Sequence, residues 1–380
     1  MGCAASVEKG EGGGASSKGD VKVEESVSAK NFDVAPFKQN INPKSSTINL
    51  DLSLEMTKLK CEGEQYTYTA SYCYVCQKGY YPDQLDKANQ DSYLVLENIL
   101  GDESAHLFGV FDGHGTEGDL CSHFAADQFG YSLCKELQKH GGPKEAFGGS
   151  NMEKVYTSAF VKTNKLLRQS KVPDKLSGTT GVTIVIQGET LYIGNVGDSR
   201  AIIASEVDGS LKYSALSSDQ TPFRKDERER LKLKGARIFT MDQIDGHEPI
   251  HENWGAETGD DIDDAAQDPP RVWDKSLQGP GCAFTRSIGD SMAEAVGVYA
   301  EPEILKWPIE PSDRFAVVAS DGVFEFLPSQ TVVDMIAQFD DPIEGGQHVV
   351  AEACTSTSLL IALIALIASL RCCHCCLYTP

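Results

Sequence analysis

The chain is poor in positive charge, and it has no secretory signal at its amino terminus. Its 380 residues include 34 lysines and arginines against 56 aspartates and glutamates, which gives a formal net charge of −22 at pH 7. Because such a chain repels nucleic-acid phosphates, we do not expect nucleic acid among its partners. Without a secretory signal, we expect a cytoplasmic protein whose 12 cysteines are reduced thiols rather than disulfides.

Apolar runs long enough to cross a membrane are also lacking. The run Leu359–Leu370 is shorter than the roughly 17 to 25 residues of a spanning helix, so it could anchor the chain only with the preceding Ser and Thr residues. The adjoining Arg371–Cys376 offers Cys and His side chains that could ligate zinc or carry palmitate. A third interpretation, which we favour, is that this tail comes from an alternative transcript or a faulty gene model and has no evolved role.

The run His106–Gly115, HLFGVFDGHG, brings a carboxylate, a backbone carbonyl and an imidazole to the end of an apolar, strand-like segment. Its Asp112-Gly113 pair predicts a sharp turn after a buried strand. The carboxylate and the glycine carbonyl are the oxygen ligands that Mg²⁺ and Mn²⁺ prefer. His114 would then stand beside the metal as a candidate general acid. The alternative is an ordinary Asp-Gly turn with a solvent-exposed histidine.

Three further aspartates occupy comparable positions. Asp91 begins a strand-like stretch, Asp198 lies at the tip of a Gly-Asp-Ser turn, and Asp321 ends the apolar run that begins at Phe315. Taken singly, each is more often a turn residue or a helix cap than a ligand. Burying several carboxylates together is costly unless cations neutralise them, so the four aspartates together predict a metal centre.

Seven segments resemble, in the same order, the metal-dependent serine/threonine protein phosphatases of the 2C type, and more closely their plant-like branch. They cover roughly residues 66–353 and read GYYPDQLDKANQDSY, FGVFDGHG, SGTTGVTIVI, GNVGDSRAII, DQTPFRKDERERLKLKGARI, AFTRSIGD and VVASDGVFEFLPSQTVVDM. The resemblance implies hydrolysis of phosphoserine and phosphothreonine in proteins. It also implies an α+β fold in which a central antiparallel β-sandwich is flanked by helices. We expect a monomer with phosphoproteins as its substrates.

The resemblance also implies roles for the residues named above. Asp112 would bridge two Mg²⁺ or Mn²⁺ ions, the carbonyl of Gly113 would serve one of them, and Asp321 would serve the other. Asp91 would act mostly through bound water. Paired cations roughly 3.5 to 4 Å apart activate a shared water for in-line attack on phosphorus. His114 would protonate the departing alkoxide.

Two positions depart from the family pattern. A third, weaker metal site would use Asp198, Asp321 and Glu325, but the family commonly has Asp where this chain has Glu325. Family members also often grip the phosphate with an Arg shortly before the first acidic motif, where this chain has Lys87. A lysine binds phosphate as a point charge without a bidentate fork.

The carboxyl-terminal part departs further. In the family an Asp-Asn or Asp-Asp pair leads into a final strand, and its Asp is a direct metal ligand, whereas no acid follows Glu352 in this chain. We therefore expect the final strands of the sandwich to be missing and a sheet edge to be left unpaired. The alternative function is a catalytically impaired phosphatase fold that acts as a phosphoprotein-binding or regulatory module.

The amino terminus, MGCAAS, fits the pattern for N-myristoylation. Gly2 would carry myristate after removal of Met1, and Cys3 could be palmitoylated, which would associate the chain with a membrane. The alternative is an unmodified terminus. The following Gly-, Ser-, Lys- and Glu-rich stretch favours a disordered tether. We therefore divide the chain into a tether of residues 1–65, a phosphatase domain of residues 66–353 and a non-homologous tail of residues 354–380.

Hydrophobic periodicity predicts the remaining elements. The predicted strands are Tyr66–Tyr74, Tyr93–Leu96, His106–Phe111, Thr183–Ile186, Leu191–Gly194, Ala201–Ala204 and Phe315–Ala319, and the predicted helices are Asp119–His140, Met152–Gln169, Arg224–Leu233 and Gln330–Gln338. The acidic run Gly259–Asp264 lies where the family carries a flap, and we interpret it as a solvated loop. The Cys73–Cys76 CxxC pair is interpreted as buried thiols rather than a redox or zinc site.

Overall fold

The structure is a computed structural model that describes residues 51–52, 57–62, 67–78, 87–254, 268–356 and 362–372. Gly2, Cys3, the acidic run Gly259–Asp264 and Cys373–Cys376 lie outside the described residues. Within the described part, no helix combines the length and the hydropathy that crossing a bilayer requires.

Strands and helices alternate irregularly along the described chain. The strands are β1 (Asp51–Leu52), β2 (Thr57–Glu62), β3 (Thr67–Gln77), β4 (Asp91–Leu96), β5 (Ala105–His114), β6 (Gly178–Thr179), β7 (Gly181–Gln187), β8 (Thr190–Val196), β9 (Arg200–Val207), β10 (Ser210–Ala215), β11 (Arg237–Phe239), β12 (Arg271–Trp273), β13 (Pro280–Cys282), β14 (Ile288–Gly289), β15 (Glu303–Pro308), β16 (Asp313–Ala319) and β17 (Ala362–Cys372). The α-helices are α1 (Gly118–Lys139), α2 (Pro143–Gly148), α3 (Met152–Gln169), α4 (Lys225–Leu233), α5 (Met241–Asp245), α6 (Ser291–Glu294), α7 (Asp321–Phe324), α8 (Ser329–Ile336) and α9 (Pro342–Ser356). Each strand and helix predicted from periodicity has a counterpart here.

Two antiparallel sheets of seven strands each form the centre of the protein. Sheet I has the order β1-β3-β17-β16-β9-β10, with β2 also paired to β3. Sheet II has the order β14-β6-β5-β7-β8-β15, with β4 also paired to β5. The predicted α+β class with a central antiparallel β-sandwich is confirmed.

Apolar side chains fill three layers around these sheets. Strand residues alternate between the two faces of a sheet, so Val318 of β16 packs in the core between the sheets while Val317 packs against α7, α8 and α9. Helices α1, α2 and α3 cover the outer face of sheet II, where Phe129 of α1 and Tyr156 of α3 pack in one cluster with Phe111 of β5. Because both faces are covered, the central strands read as nearly continuous apolar runs.

Strand β17 corrects the expectation that the final strands are missing. It lies between β3 and β16 and is antiparallel to both, with Leu366 opposite Cys73 on one side and Val317 on the other. The apolar run that we considered as a membrane anchor or as a tail without a role therefore forms an inner strand of sheet I. The pairing is physically reasonable because an apolar strand without acids suits a sheet interior.

Strand β5 also differs from the expectation. The predicted turn at Asp112-Gly113 is wrong, because β5 continues through His114 and the chain bends at Gly115, whose φ is +83°. The cause is a change of partner: β5 pairs with β7 as far as Val110, and Gly113 then lies opposite Thr179 of β6. The ladder of hydrogen bonds therefore carries the strand past the site predicted for the turn.

The segment between β10 and β14 contains a small sheet that is separate from sheets I and II. Strands β11, β12 and β13 form a three-stranded sheet, and Ile238, Val272 and Phe284 pack in its small core with Leu231 of α4. Trp273 of β12 is also buried, and its indole N–H donates to the carbonyl of Phe239. This tryptophan is therefore a structural residue of the segment that resembles the family's flap.

Cys73 and Cys76 are buried thiols on β3, which confirms the interpretation of the CxxC pair. Burial, with a smaller contribution from Asp341, raises the pKa of the Cys73 thiol to about 12. A thiol with so high a pKa is protonated at neutral pH, so it is neither a nucleophile nor a ready metal ligand.

Candidate active site

The four predicted aspartates converge at one edge of the sandwich. Asp91 of β4 lies directly opposite Asp112 of β5 in sheet II. Asp321 is the first residue of α7 and is separated from β16 of sheet I only by Ser320. Asp198 lies in the connection that takes the chain from β8 of sheet II to β9 of sheet I. The site is therefore built where the two sheets meet, and each sheet contributes carboxylates.

Asp112 is the centre of this cluster. Burial, followed by repulsion from Asp321 and Asp91, raises the pKa of Asp112 well above its ordinary value. Its carboxyl group also shares a hydrogen bond with that of Asp321. Two acidic side chains from different sheets are thus in direct contact, which is the convergence that the sequence predicts.

Asp91 and Asp198 share the same environment. Burial raises the pKa of Asp91 to about 7, with a further contribution from the charge of Asp321, although hydrogen bonds with Ser320 and Asp112 oppose the shift. Burial together with repulsion from Asp321 and Asp219 raises the pKa of Asp198 to about 7 as well. The charged form of every one of these groups is disfavoured until a cation offsets the repulsion.

The backbone of Asp112 is fixed by the SGTTG motif. Thr180 donates its N–H to the Asp112 carbonyl at 2.8 Å, and the hydroxyl of Thr179 donates to the same carbonyl at 2.9 Å. The amide of Asp112 donates in turn to Oγ1 of Thr180 at 3.1 Å. Asp112 therefore has little freedom to move away from its neighbours.

The hydroxyl of Ser320 joins the two sheets at the site. Ser320, which precedes Asp321, donates its Oγ–H to Oδ2 of Asp91 at 2.9 Å. Ser320 is fully buried and Asp91 is nearly so. This hydrogen bond fixes the relative position of the carboxylates contributed by β4 and by the end of β16.

Gly113 occupies a position where only glycine fits. A Cβ at this residue would lie 2.0 Å from the carbonyl oxygen of Gly118 and 2.6 Å from that of Gln90. The amide of Gly113 donates to the carbonyl of Gln90 at 3.0 Å, so the two chain segments are packed against each other. The absence of a side chain lets the first turn of α1 approach the acidic cluster.

Lys87 and Glu325 lie at the border of the cluster. Burial lowers the pKa of Lys87, while the charges of Asp112, Asp321 and Asp91 oppose that shift, so the ammonium group faces all three acids. Glu325 follows Asp321 by one helical turn, and its amide donates to the Asp321 carbonyl at 2.7 Å. The structure thus brings both residues next to the predicted ligands.

His114 is buried, with 9% of its surface exposed, which excludes the alternative of a solvent-exposed histidine in an ordinary turn. Its Nε2 lies 2.6 Å from Oδ2 of Asp290, and its ring lies 4.3 Å from the ring of Phe284, measured between centroids. His114 also acts electrostatically on Asp198, so the imidazole borders the acidic cluster.

Sequence reasoning missed several of these contacts. Asp290 and Phe284 belong to AFTRSIGD, and Thr179 and Thr180 belong to SGTTG, two motifs that carried the resemblance without an assigned role. Ser320 precedes the Asp-Gly pair of SDG, where a serine is an ordinary helix cap. In the sequence, these residues could be singled out only by their position within the motifs. Their contacts with the site depend on strand pairing, which the sequence does not show.

A second cluster of acids has a different character. Carboxylate oxygens of Asp226, Glu227 and Glu303 lie within 4.8 Å of one another, as the ligands of a metal would. Burial alone would raise the pKa of Glu227, but hydrogen bonds from Arg286 and Arg230 outweigh it and lower that pKa to about 2. Arginines already neutralise this cluster, so we interpret it as an ion-pair network.

The first cluster does fit a hard divalent cation. All its donors are oxygens, Asp91 is buried while Asp112, Asp198 and Asp321 are partly exposed, and the pKa values of Asp91, Asp112 and Asp198 are raised. Mg²⁺ and Mn²⁺ prefer such ligands. Asp91, Asp112, Asp321 and Asp198 are the residues that would hold them.

Comparisons with known proteins agree with this interpretation of the cluster. Residues 83–358 match the protein phosphatase 2C family. The chain is 44% identical over 283 residues to the probable protein phosphatase 2C 35 of Arabidopsis thaliana, an alignment that covers 74% of this chain and 77% of that protein. It is 33% identical over 269 residues to the probable protein phosphatase 2C 72 of the same plant, which covers 70% of this chain and 74% of that protein.

Solved structures share the fold at lower identity. A serine-threonine phosphatase 2C from Toxoplasma gondii has a TM-score of 0.62 and 16% identity, over 88% of this chain and 100% of that one. A C. elegans sex-determining protein has a TM-score of 0.58 and 20% identity, over 78% of this chain and 64% of that one. Together with the match of residues 83–358, these comparisons establish that the chain belongs to the protein phosphatase 2C family, whose members are Mg²⁺- or Mn²⁺-dependent protein serine/threonine phosphatases.

Proposed function

We propose that this chain hydrolyses phosphoserine and phosphothreonine in proteins with water activated at a centre of two Mg²⁺ or Mn²⁺ ions. The observation that carries the proposal is the convergence of Asp91, Asp112 and Asp321, where burial, followed by repulsion from Asp321 and Asp91, raises the pKa of Asp112 well above its ordinary value. Repulsion among these carboxylates destabilises the fold in the absence of cations. A cation-binding site explains why the carboxylates are nevertheless placed together.

The residues divide the work of binding and orientation. Asp112, Asp91, Asp321 and the carbonyl of Gly113 would hold the two ions. When bound, the two cations would lower the pKa of a shared water, hold the phosphate and neutralise charge on it. Asp198 and Glu325 lie beside Asp321 and would complete a third, weaker site.

Lys87 and His114 would act on the substrate directly. The ammonium of Lys87 faces the acidic cluster and would attract the phosphate dianion once cations neutralise the acids. His114 would donate a proton to the departing Ser or Thr oxygen, a poor leaving group whose expulsion is accelerated about 10²- to 10⁴-fold by a general acid. The burial of the imidazole beside the carboxylates supports this role.

A second candidate function rests on the final strand. No acid occurs in β17, ALIALIASLRC, or in the residues after it, where the family resemblance leads us to expect a metal-ligating Asp. A chain that lacks this ligand would hold one cation weakly. The phosphatase fold would then bind phosphoproteins or regulate other proteins without turnover.

Hydrolysis of p-nitrophenyl phosphate during titration with Mn²⁺ or Mg²⁺ separates the two functions. We expect metal-dependent turnover, and we expect Asp112→Ala to reduce it by roughly three orders of magnitude or more, because that change removes the shared ligand. The matched control is Asp313→Ala, which removes another buried carboxylate, at the opposite end of β16. Turnover that does not depend on metal, or that survives Asp112→Ala, would refute the proposal, whereas metal binding without turnover would favour the second function.

Several sequence expectations stay predictions. They are the acylation of Gly2 and Cys3 with the resulting membrane association, the cytoplasmic location, the monomeric state and the boundaries of the domain at residues 66 and 353.

A further inference from the structure

The pairing of His114 with Asp290 has a structural basis that extends over three strands. His114 at the end of β5 lies opposite Gly178 of β6, and Gly178 lies opposite Gly289 at the end of β14. Asp290 follows Gly289 directly. The carboxylate thus reaches across one intervening strand to touch the imidazole at 2.6 Å.

Gly178 provides the space for that reach. A Cβ at Gly178 would lie 2.1 Å from Oδ2 of Asp290, the oxygen that contacts His114. Any residue other than glycine at this place on β6 would displace the carboxylate. The fold therefore keeps an open path between two side chains that are far apart in the sequence.

The side chain of Asp290 does not cap helix α6, although the residue directly precedes that helix. It is the residue before α6, where an aspartate ordinarily accepts a hydrogen bond from a backbone amide of the helix, but its side chain makes no such capping bond. Its φ of 48° is in the left-handed region, which few residues other than glycine, asparagine and aspartate adopt readily. The residue is 1% exposed. Local helix stability does not explain this conformation, whereas contact with His114 does.

Resting on the phosphatase function proposed above, we propose that Asp290 is a positioning residue that holds His114 by Nε2, so that the other ring nitrogen, Nδ1, protonates the departing Ser or Thr oxygen. An ionised carboxylate can only accept, so Nε2 carries the hydrogen of the 2.6 Å bond. Phe284 packs on the ring at 4.3 Å and restrains its rotation. One segment, AFTRSIGD, therefore fixes both the direction and the plane of the imidazole.

The chemical step balances as a hydrolysis. The attacking water supplies the new oxygen on phosphorus, and the electron pair of the broken P–O bond moves to the oxygen of the Ser or Thr side chain. That oxygen takes the Nδ1 proton, while Nε2 keeps its proton against Asp290. The attacking water gives up a proton to solvent, and His114, left neutral, regains one from solvent, so the sum is phosphate ester plus water giving alcohol plus phosphate.

Leaving-group dependence tests the role of Asp290. p-Nitrophenolate departs without protonation, whereas a threonine alkoxide needs an acid. We expect Asp290→Ala to lower kcat for a phosphothreonine peptide about 10- to 100-fold and to leave kcat for p-nitrophenyl phosphate within about threefold. Asp290→Asn should lose less, because asparagine accepts the left-handed conformation and its Oδ1 can still accept from Nε2–H.

The comparison variants are His114→Gln and Asp313→Ala. The double variant of Asp290→Ala with His114→Gln should be no slower on the phosphopeptide than His114→Gln alone, since a positioning residue acts only through its partner. Asp313→Ala should leave the ratio of the two substrates unchanged. Equal losses on both substrates, or additive losses in the double variant, would overturn the proposal.

A spectroscopic measurement keeps the proposal testable even in a chain without turnover. In protein labelled with ¹⁵N-histidine, we expect a slowly exchanging Nε2–H signal of His114 that disappears in His114→Gln and in Asp290→Ala. A signal that persists in Asp290→Ala would overturn the positioning role. Absence of metal-dependent hydrolysis in the unmodified chain would instead refute the phosphatase function, so the two failures are distinct.

Discussion

At the scale of single residues, the active-site aspartates oppose the stability of the metal-free protein. Asp91 and Asp112 are placed opposite each other on neighbouring strands, where like charges are destabilising. Two arginines neutralise buried Glu227 in the second acidic cluster, and its pKa is lowered accordingly. The pKa values of Asp91, Asp112 and Asp198 are raised instead. This difference in direction separates a cation centre from a structural ion-pair network.

The raised pKa values predict how stability varies with pH in EDTA. Asp91 and Asp198 have pKa values of about 7 in the folded protein, against about 4 for an unfolded aspartate. Their contribution to the free energy of unfolding is full when the pH is below the pKa of the unfolded state, and it is lost as the pH rises through the pKa of the folded state. The free energy of unfolding should therefore fall between about pH 4 and pH 7. Urea denaturation at several pH values measures this slope, and saturating Mg²⁺ should restore stability at the upper end.

A variant separates this effect from the general repulsion of a chain with a net charge of −22. Asp91→Asn removes one titrating group at the site and changes the total charge by only one. We expect a shallower slope for the variant. A slope identical to that of the unmodified chain would mean that the acidic cluster does not control the pH dependence.

At the scale of elements, periodicity was sufficient for the main strands and helices but not for two junctions. Alternating and continuous apolar runs predicted β5, β7, β8, β9 and β16 because these strands are buried on both faces. The end of β5 was placed too early, since an Asp-Gly pair is ordinarily a turn and only the pairing with β6 extends the strand. The role of Asp290 was not predictable, because its partner His114 is brought close by that same pairing.

The junction between β5 and α1 gives a prediction of its own. Gly113→Ala would place a Cβ 2.0 Å from the carbonyl oxygen of Gly118, a contact with backbone that cannot rotate away. We expect a loss of roughly 1 to 3 kcal/mol in the free energy of unfolding, with a loss of metal-dependent activity. Urea denaturation and metal titration measure the two effects.

Gly148→Ala is the matched control, since a Cβ at this residue of α2 has no atom within 4 Å. It should change stability by less than about 1 kcal/mol in either direction. Equal stability of Gly113→Ala and Gly148→Ala would contradict the steric account of the junction.

At the scale of the whole molecule, β17 decides whether sheet I is continuous. The strand lies between β3 and β16 and pairs extensively with both. Its removal would therefore expose the edges of β3 and β16 inside the sandwich. The sequence did not predict this strand, because the final acidic motif of the family is absent and an apolar run near the end of a chain is compatible with several structures. Pairing partners on both sides distinguish it from an appended tail.

Two truncations test that conclusion. A chain that ends at Ala353 lacks β17, and we expect it to be insoluble or to melt at a temperature lower by roughly 10 °C or more. A chain that ends at Cys372 keeps the strand and lacks only Cys373–Pro380, so it should melt like the unmodified protein. Thermal unfolding followed by circular dichroism compares them, and equal melting temperatures for both truncations would show that β17 adds nothing to the fold.

The position of β17 also sets the order in which the protein can be completed during synthesis. Its partner β3 leaves the ribosome well before β17 does. Until β17 emerges, the nascent chain carries an open gap between β3 and β16, with backbone groups free to pair with other chains. Insertion of β17 closes the gap, so the interval before that insertion is when this phosphatase depends most on chaperones.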